Sequence, residues 1–189
     1  MKLYKRNVVD QIISYLGDDT VIVLHGARQV GKTHILYSLK NHLLAKNQPV
    51  FFYDLEFPVL LNTLNLGVAE FIQDLVGRGY TKDTDAYVFI DEIQYLDNPS
   101  SFLKIVADHY KKIHLIVTGS STFDLKTKFT DSLVGRTTNF EIFPLCFSEF
   151  LTFREINLFP SSKSSFAVLK ELIFLYTEFV LYGGYPKIV

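Results

Sequence analysis

Eight consecutive residues, Gly26, Ala27, Arg28, Gln29, Val30, Gly31, Lys32 and Thr33, carry the strongest chemical signal in this chain. They fit the pattern G-x-x-x-x-G-K-[ST], in which the backbone amides of a glycine-bounded loop converge on phosphate oxygens. A helix starting at the end of such a loop adds its positive amino end to the same anion. In that arrangement the Lys32 ammonium reaches the β- and γ-phosphates, and the Thr33 hydroxyl binds Mg2+. With His34, which follows directly, these residues form the expected nucleotide contact.

Two further stretches place chemistry at the ends of apolar runs. Residues 86–90, Ala-Tyr-Val-Phe-Ile, lead into adjacent carboxylates, Asp91 and Glu92. Alternation along a strand sends such neighbours to opposite sides, so one can serve Mg2+ while the other polarises an attacking water. Solvated loop carboxylates would look the same in isolation; the pairing with a G-K-T loop about sixty residues earlier favours the catalytic reading. The run 114–118 ends in Thr118, Gly119, Ser120 and Ser121, hydroxyl residues suited to a γ-phosphate or an attacking water, although turn chemistry alone also explains them. Leu133, Val134, Gly135 and Arg136 put an arginine where it would stabilise a transferred phosphoryl group, in the same subunit or a neighbouring one. A surface arginine after a turn glycine is the simpler alternative.

The elements that must hold these residues follow from periodicity. The phosphate loop lies between a β-branched run, residues 20–24, and a helical pattern through Ile35, Leu36, Leu39 and Leu43 that runs to about Lys46. Residues 4–16 read as a leading helix, 50–53 as a short buried strand, 68–76 as a helix closed by Gly77-Arg78-Gly79, and 98–110 as a helix opened by Asn98-Pro99. Asp54 and Glu56 suit either a ligand or, preferably, a cap for a helix over 59–64. A short run at 140–143 precedes a helix from about 144–150 with Ser148 as its cap. Residues 161–165 form a polar linker. The last helix, 166–182, is apolar on most of its circumference, so it is expected either to be buried or to cover a neighbouring domain or subunit.

Composition narrows the classes. The chain has 189 residues, 48% of them hydrophobic, which suits one domain with a sizeable core. A formal charge of -1 supplies no global field for nucleic acid. A single cysteine, Cys146, excludes an internal disulfide and a cysteine-based zinc site, and the five histidines show no metal-ligand spacing. Neither a membrane span nor a secretory leader is expected, which points to the cytoplasm. No repeat or low-complexity stretch appears.

Taken together, the motifs resemble a family of prokaryotic AAA-type P-loop ATPases in which the ATPase domain precedes a C-terminal region of the DUF4143 type. The resemblance rests on LHGARQVGKT at 24–33, VFIDEIQ at 88–94, VTGSS at 117–121, LVGR at 133–136, IFPLCFSEF at 142–150 and GGYPKIV at 183–189. It implies a three-layer α-β-α fold with a mainly parallel central sheet and Mg-ATP at the sheet's carboxyl edge. It also implies roles: Asp91 as the Mg2+-associated acid, Glu92 as the catalytic glutamate, Thr118 or Ser120 as the polar sensor, and Arg136 as an arginine finger or phosphate sensor. His34 and Cys146 depart from the residues usual at their positions. The family pattern further implies a core over about 1–145, a helical segment over 146–189, and a C-terminal region beyond it, through which any DNA contact would come. The expected activity is hydrolysis of ATP to ADP and phosphate, driving a conformational change. A nucleotide-dependent switch or scaffold with little hydrolysis, gating a protein or DNA partner, is the alternative, and self-association fits either.

Overall fold

Successive residues of a strand point to opposite faces of its sheet, and in this chain that alternation sorts the core into two layers. The computed structural model describes residues 3–120, 133, 135–158, 161 and 164–187; Ser121, Val134, part of the 161–165 stretch and the last two residues lie outside them. Five strands, β1 (Val21–Gly26), β2 (Val50–Asp54), β3 (Ala86–Asp91), β4 (Ile113–Ser120) and β5 (Thr137–Ile142), form one sheet in the order β2-β3-β4-β1-β5. Every pairing is parallel. Val21 and Val23 of β1, Val88 and Ile90 of β3, and Leu115 and Val117 of β4 face one layer. Ile22, Leu24, Phe89 and Ile116 face the other.

Helices cover both faces, as a parallel sheet requires. On the first lie α3 (Pro58–Asn65), α4 (Val68–Gly77) and α5 (Pro99–His109), contributing Leu64, Phe71, Ile72, Leu75, Phe102, Leu103 and Val106. On the second lie α1 (Asn7–Ile13) and α2 (Lys32–Ala45), contributing Val9, Ile12, Ile35, Leu36, Leu39 and Leu43. Each such side chain taken fully from water contributes about 1.5–3 kcal/mol before chain entropy is charged. The expected three-layer α/β architecture with a parallel central sheet is therefore what the chain adopts.

Two expectations about helix starts are corrected. Asp54 and Glu56 do not cap α3: its N-cap is Phe57, without a side-chain cap, and the Asp54 carboxylate instead accepts from the Glu56 amide at 3.0 Å, closing a turn. The helix α6 (Phe147–Phe153) is capped not at Ser148 but at Cys146, whose amide donates to Glu149 Oε2 at 3.0 Å. The final helix α7 (Phe166–Tyr182) packs on α6 through Leu172, Leu175 and Phe179. It is not buried: Phe174 is 70% and Leu181 72% exposed.

Register brings the functional strand ends to one edge. Gly26 pairs with Ser120 and Asp54 with Asp91, while Thr118 stands opposite Leu24 in β1 and one residue beyond the Ile90–Val117 pair with β3. The phosphate loop, the acidic pair and the hydroxyl strand thus share the carboxyl edge, where parallel α/β sheets bind ligands.

Candidate functional site

The loop between β1 and α2 is shaped by close approach and by local backbone conformation. A Cβ on Gly26 would lie 2.3 Å from the Ile142 carbonyl oxygen at the end of β5, so only glycine fits there. Gln29 (φ 66) and Gly31 (φ 96) are left-handed, and Gly31 is the N-cap of α2. Alternating handedness of this kind turns successive amides inward into an anion-binding nest. Val30 is fully buried, which leaves only its backbone to face a ligand, whereas Arg28, Gln29 and His34 are exposed and Ala27, Gly31 and Thr33 half-buried. Lys32 is buried, its ammonium donating to the Gly26 and Ala27 carbonyls at 3.0 and 2.9 Å. Burial pulls its pKa below the usual lysine range, a shift opposed by the charges of Glu92 and Asp91.

At the end of β3, Asp91 is only 3% exposed. Burial raises its pKa, against hydrogen bonds from the Thr118 and Thr33 hydroxyls; Glu92 and Asp54 nearby raise it further. Thr33 and Asp91, expected as the Mg2+ ligands, therefore meet. Both are hard oxygen donors, and with phosphate oxygens and water they fit an ion that keeps several non-protein ligands. Among the described residues no cluster of three or more His, Cys, Asp or Glu side chains forms a separate all-protein metal site.

Glu92 is held in the left-handed region (φ 57, ψ 50), uncommon for a residue with a Cβ. Its amide donates to Thr118 Oγ1 at 3.0 Å, and Thr118 in turn donates to Asp91 Oδ1. A fully buried threonine thus addresses both members of the acidic pair across the strand boundary. The Gln94 amide donates to Glu92 Oε2, and its oxygen accepts from the Ser120 amide at 3.3 Å. Gln94 was not singled out from sequence; its place two residues after Glu92, inside the DEIQ run, is the signal that points to it.

Arg136 is not brought to this edge. It precedes β5, with Thr137 paired to Val21 at the start of β1, so it lies a strand's length, about 20 Å, from the loop of its own chain. Its guanidinium donates to Asp108 Oδ1 at 2.7 Å near the end of α5. An arginine acting on the phosphates of the same subunit is thereby corrected, because parallel register with β1 sets the two at opposite ends of the sheet.

The loop opens into a cavity of about 720 Å³ whose walls include Thr33, Tyr37, Glu92, Phe153, Pro186 and Lys187. The last three come from the chain's final third; Pro186 and Lys187 lie in the GGYPKIV run, whereas Phe153 stands outside every motif. Their placement depends on a buried clasp. Arg6 donates to the Val30 carbonyl and to the Phe143 carbonyl, each at 2.8 Å, and lies 3.1 Å from Glu149. Leu145 donates to the Gly184 carbonyl at 2.6 Å.

Comparison with known proteins bears on the family and the fold. The profile of the AAA domain family matches residues 18–151. An uncharacterized protein of Methanocaldococcus jannaschii is 30% identical over 168 residues, covering 88% of this chain and 35% of that one. An uncharacterized protein of Haemophilus influenzae is 25% identical over 191 residues, covering 98% and 44%. The chain thus spans less than half the length of either relative. Among solved structures, Caenorhabditis elegans PCH-2 superposes with a TM-score of 0.55 at 14% identity over 87% of this chain and 52% of that one. AMPPCP-bound DnaA from Aquifex aeolicus gives 0.51 at 18% identity over 93% and 60%. At such identities the likeness is one of fold.

Proposed function

The chain belongs to the AAA domain family, and from that premise we propose that it binds Mg-ATP and hydrolyses it to ADP and phosphate, using the cycle to change conformation. The observation that carries the reading is the meeting of Thr33, Asp91 and Glu92 beside the phosphate loop, on a cavity large enough for a nucleotide. Backbone amides of residues 26–33 and the Lys32 ammonium bind the phosphates. The Thr33 hydroxyl and Asp91 carboxylate would hold Mg2+, which would supply neutralisation of phosphate charge. Glu92 orients a water and takes its proton as the water oxygen bonds to the γ-phosphorus and the bridging oxygen leaves with ADP. Thr118, through its hydrogen bonds to both neighbours, and Ser120, through Gln94, sense the state of that carboxylate. Arg136 acts, in this reading, only on the γ-phosphate of a neighbouring copy, after release from Asp108.

A second reading, a nucleotide-dependent switch with little hydrolysis, draws support from the Gln94 amide, which occupies a Glu92 oxygen that would otherwise face water. Partner or DNA contacts, in either reading, draw no support from this chain's formal charge of -1.

Phosphate release from Mg-ATP, with and without DNA, tests the proposal. Glu92→Gln is expected to keep ATP affinity and lose about a hundredfold or more in turnover. Lys32→Ala is expected to weaken binding itself. Full turnover in the first variant, or unchanged affinity by calorimetry in the second, overturns the assigned role.

A further inference from the structure

The cavity beside the phosphate loop has two ends, and the proposed chemistry uses one. Asp91 ends β3 and Glu92 follows it, and Tyr37 leans the same way, its ring stacked on Phe52 of β2 with centroids 5.2 Å apart. In the order β2-β3-β4-β1-β5, the loop after β1 lies on the β5 side of that acidic pair. A nucleotide with its γ-phosphate between Thr33 and Glu92 therefore runs its ribose and base away from β3, toward the side of β5.

There the cavity is walled by Phe153, the last residue of α6, and by Pro186. The Phe153 ring is half-buried and backed by Tyr4, with centroids 4.4 Å apart and planes 31° from parallel. The Tyr4 hydroxyl donates to Glu155 at 3.2 Å, which fixes the backing ring. Pro186 sits against the loop itself: a Cβ on Gly31 would lie 3.7 Å from its Cγ. Neither Phe153 nor Pro186 carries a side-chain hydrogen-bonding group, so these two walls present apolar surface to a base and read no edge, although the Lys187 side chain also lines the cavity.

We propose that Phe153 is the stacking wall for the nucleotide base, with Pro186 as the facing apolar wall and Tyr4 as a positioning residue that holds the Phe153 ring. The site then grips a purine by its faces, and Phe153 favours nucleotides over bare polyphosphate without favouring adenine over guanine. The inference rests on the nucleotide-binding reading above.

Calorimetric titration of the whole chain with Mg-ATP, Mg-GTP and Mg-tripolyphosphate tests it. Phe153→Ala is expected to lose about tenfold in affinity for both nucleotides, the low end of what base stacking contributes, while tripolyphosphate affinity stays the same. Phe153→Tyr, which keeps the ring, restores nucleotide affinity. Unchanged ATP affinity in Phe153→Ala overturns the stacking role, and an equal loss for tripolyphosphate assigns the residue to the fold instead. A loss confined to ATP overturns recognition by faces alone. If wild-type protein binds neither ATP nor tripolyphosphate, the phosphate cradle itself fails and this inference falls with it.

Discussion

The Arg6 guanidinium lies 3.1 Å from the Glu149 carboxylate, and both side chains are only 7% exposed. This pair joins the residue before α1 to the first turn of α6, 143 positions later, and the same guanidinium holds the Val30 carbonyl of the phosphate loop. Breaking a buried pair strands its partner in low dielectric, a cost of about 3–5 kcal/mol. Arg6→Ala should therefore lower the melting temperature sharply and weaken nucleotide binding through the unanchored loop. Denaturant unfolding with unchanged midpoint would contradict it.

The same pair predicts a pH dependence. Burial alone would raise the Glu149 pKa, but hydrogen bonds from the Asn7 and Cys146 amides and the charge of Arg6 outweigh it and hold the group below its ordinary value near 4.5. A depressed carboxylate contributes stability that is complete above its unfolded pKa and lost as pH falls through the folded one. Wild-type protein should thus lose stability below about pH 4.5, and Glu149→Gln should be less stable at neutral pH with a flatter acid limb. Parallel profiles for the two proteins would remove Glu149 as the cause.

Gln94 separates the two functional readings. If its amide orients Glu92 for water activation, Gln94→Ala should lower turnover about tenfold, in the range lost when a supporting hydrogen bond is removed from a reactive group, with ATP affinity unchanged. A rise in turnover would instead mean that the amide restrains Glu92, and would favour the switch. Steady-state phosphate release and calorimetry on the same variant give the answer.

Gly184 tests the seating of the chain's last described segment. A Cβ there would stand 2.2 Å from the Leu145 carbonyl oxygen, so Gly184→Ala must push residues 183–187 off the 143–146 segment. Overpacking of this kind costs about 1–3 kcal/mol. Because Pro186 and Lys187 wall the cavity, ATP affinity should fall several-fold as well. A variant with wild-type stability and affinity would show that the contact relaxes freely.

Much of this architecture was readable from local pattern. Parallel strands buried on both faces show as unbroken apolar runs, and β1, β3 and β4 did; the loop and the acidic pair announce themselves by residue type at the ends of those runs. What escaped depends on partners far along the chain. β5 alternates Thr137, Asn139 and Glu141 with buried Phe140 and Ile142 because it is an edge strand, so only its end stood out. Arg136 could be assigned from sequence to neither its own loop nor a neighbour's, because its position is decided by the Val21–Thr137 register, which no local spacing encodes. Arg6 looks like any basic residue before a helix until Val30, Phe143 and Glu149 converge on it. Phe153 and Pro186 likewise gain meaning only where two distant segments fold against the loop.

The placement of β4 between β1 and β3 has a mechanical consequence. The strand that leads into the glycine-bounded loop and the strand that ends in Asp91 never touch, and their separation is two interstrand steps, about 10 Å, set by main-chain hydrogen bonds on either side of β4. That spacing works as a gauge block: side chains in the layers above and below set how firmly it is clamped, whereas the ladder itself sets its width. Trimming a core residue such as Ile116 or Val117 should therefore make the protein easier to melt while leaving the gap that a triphosphate must bridge unaltered.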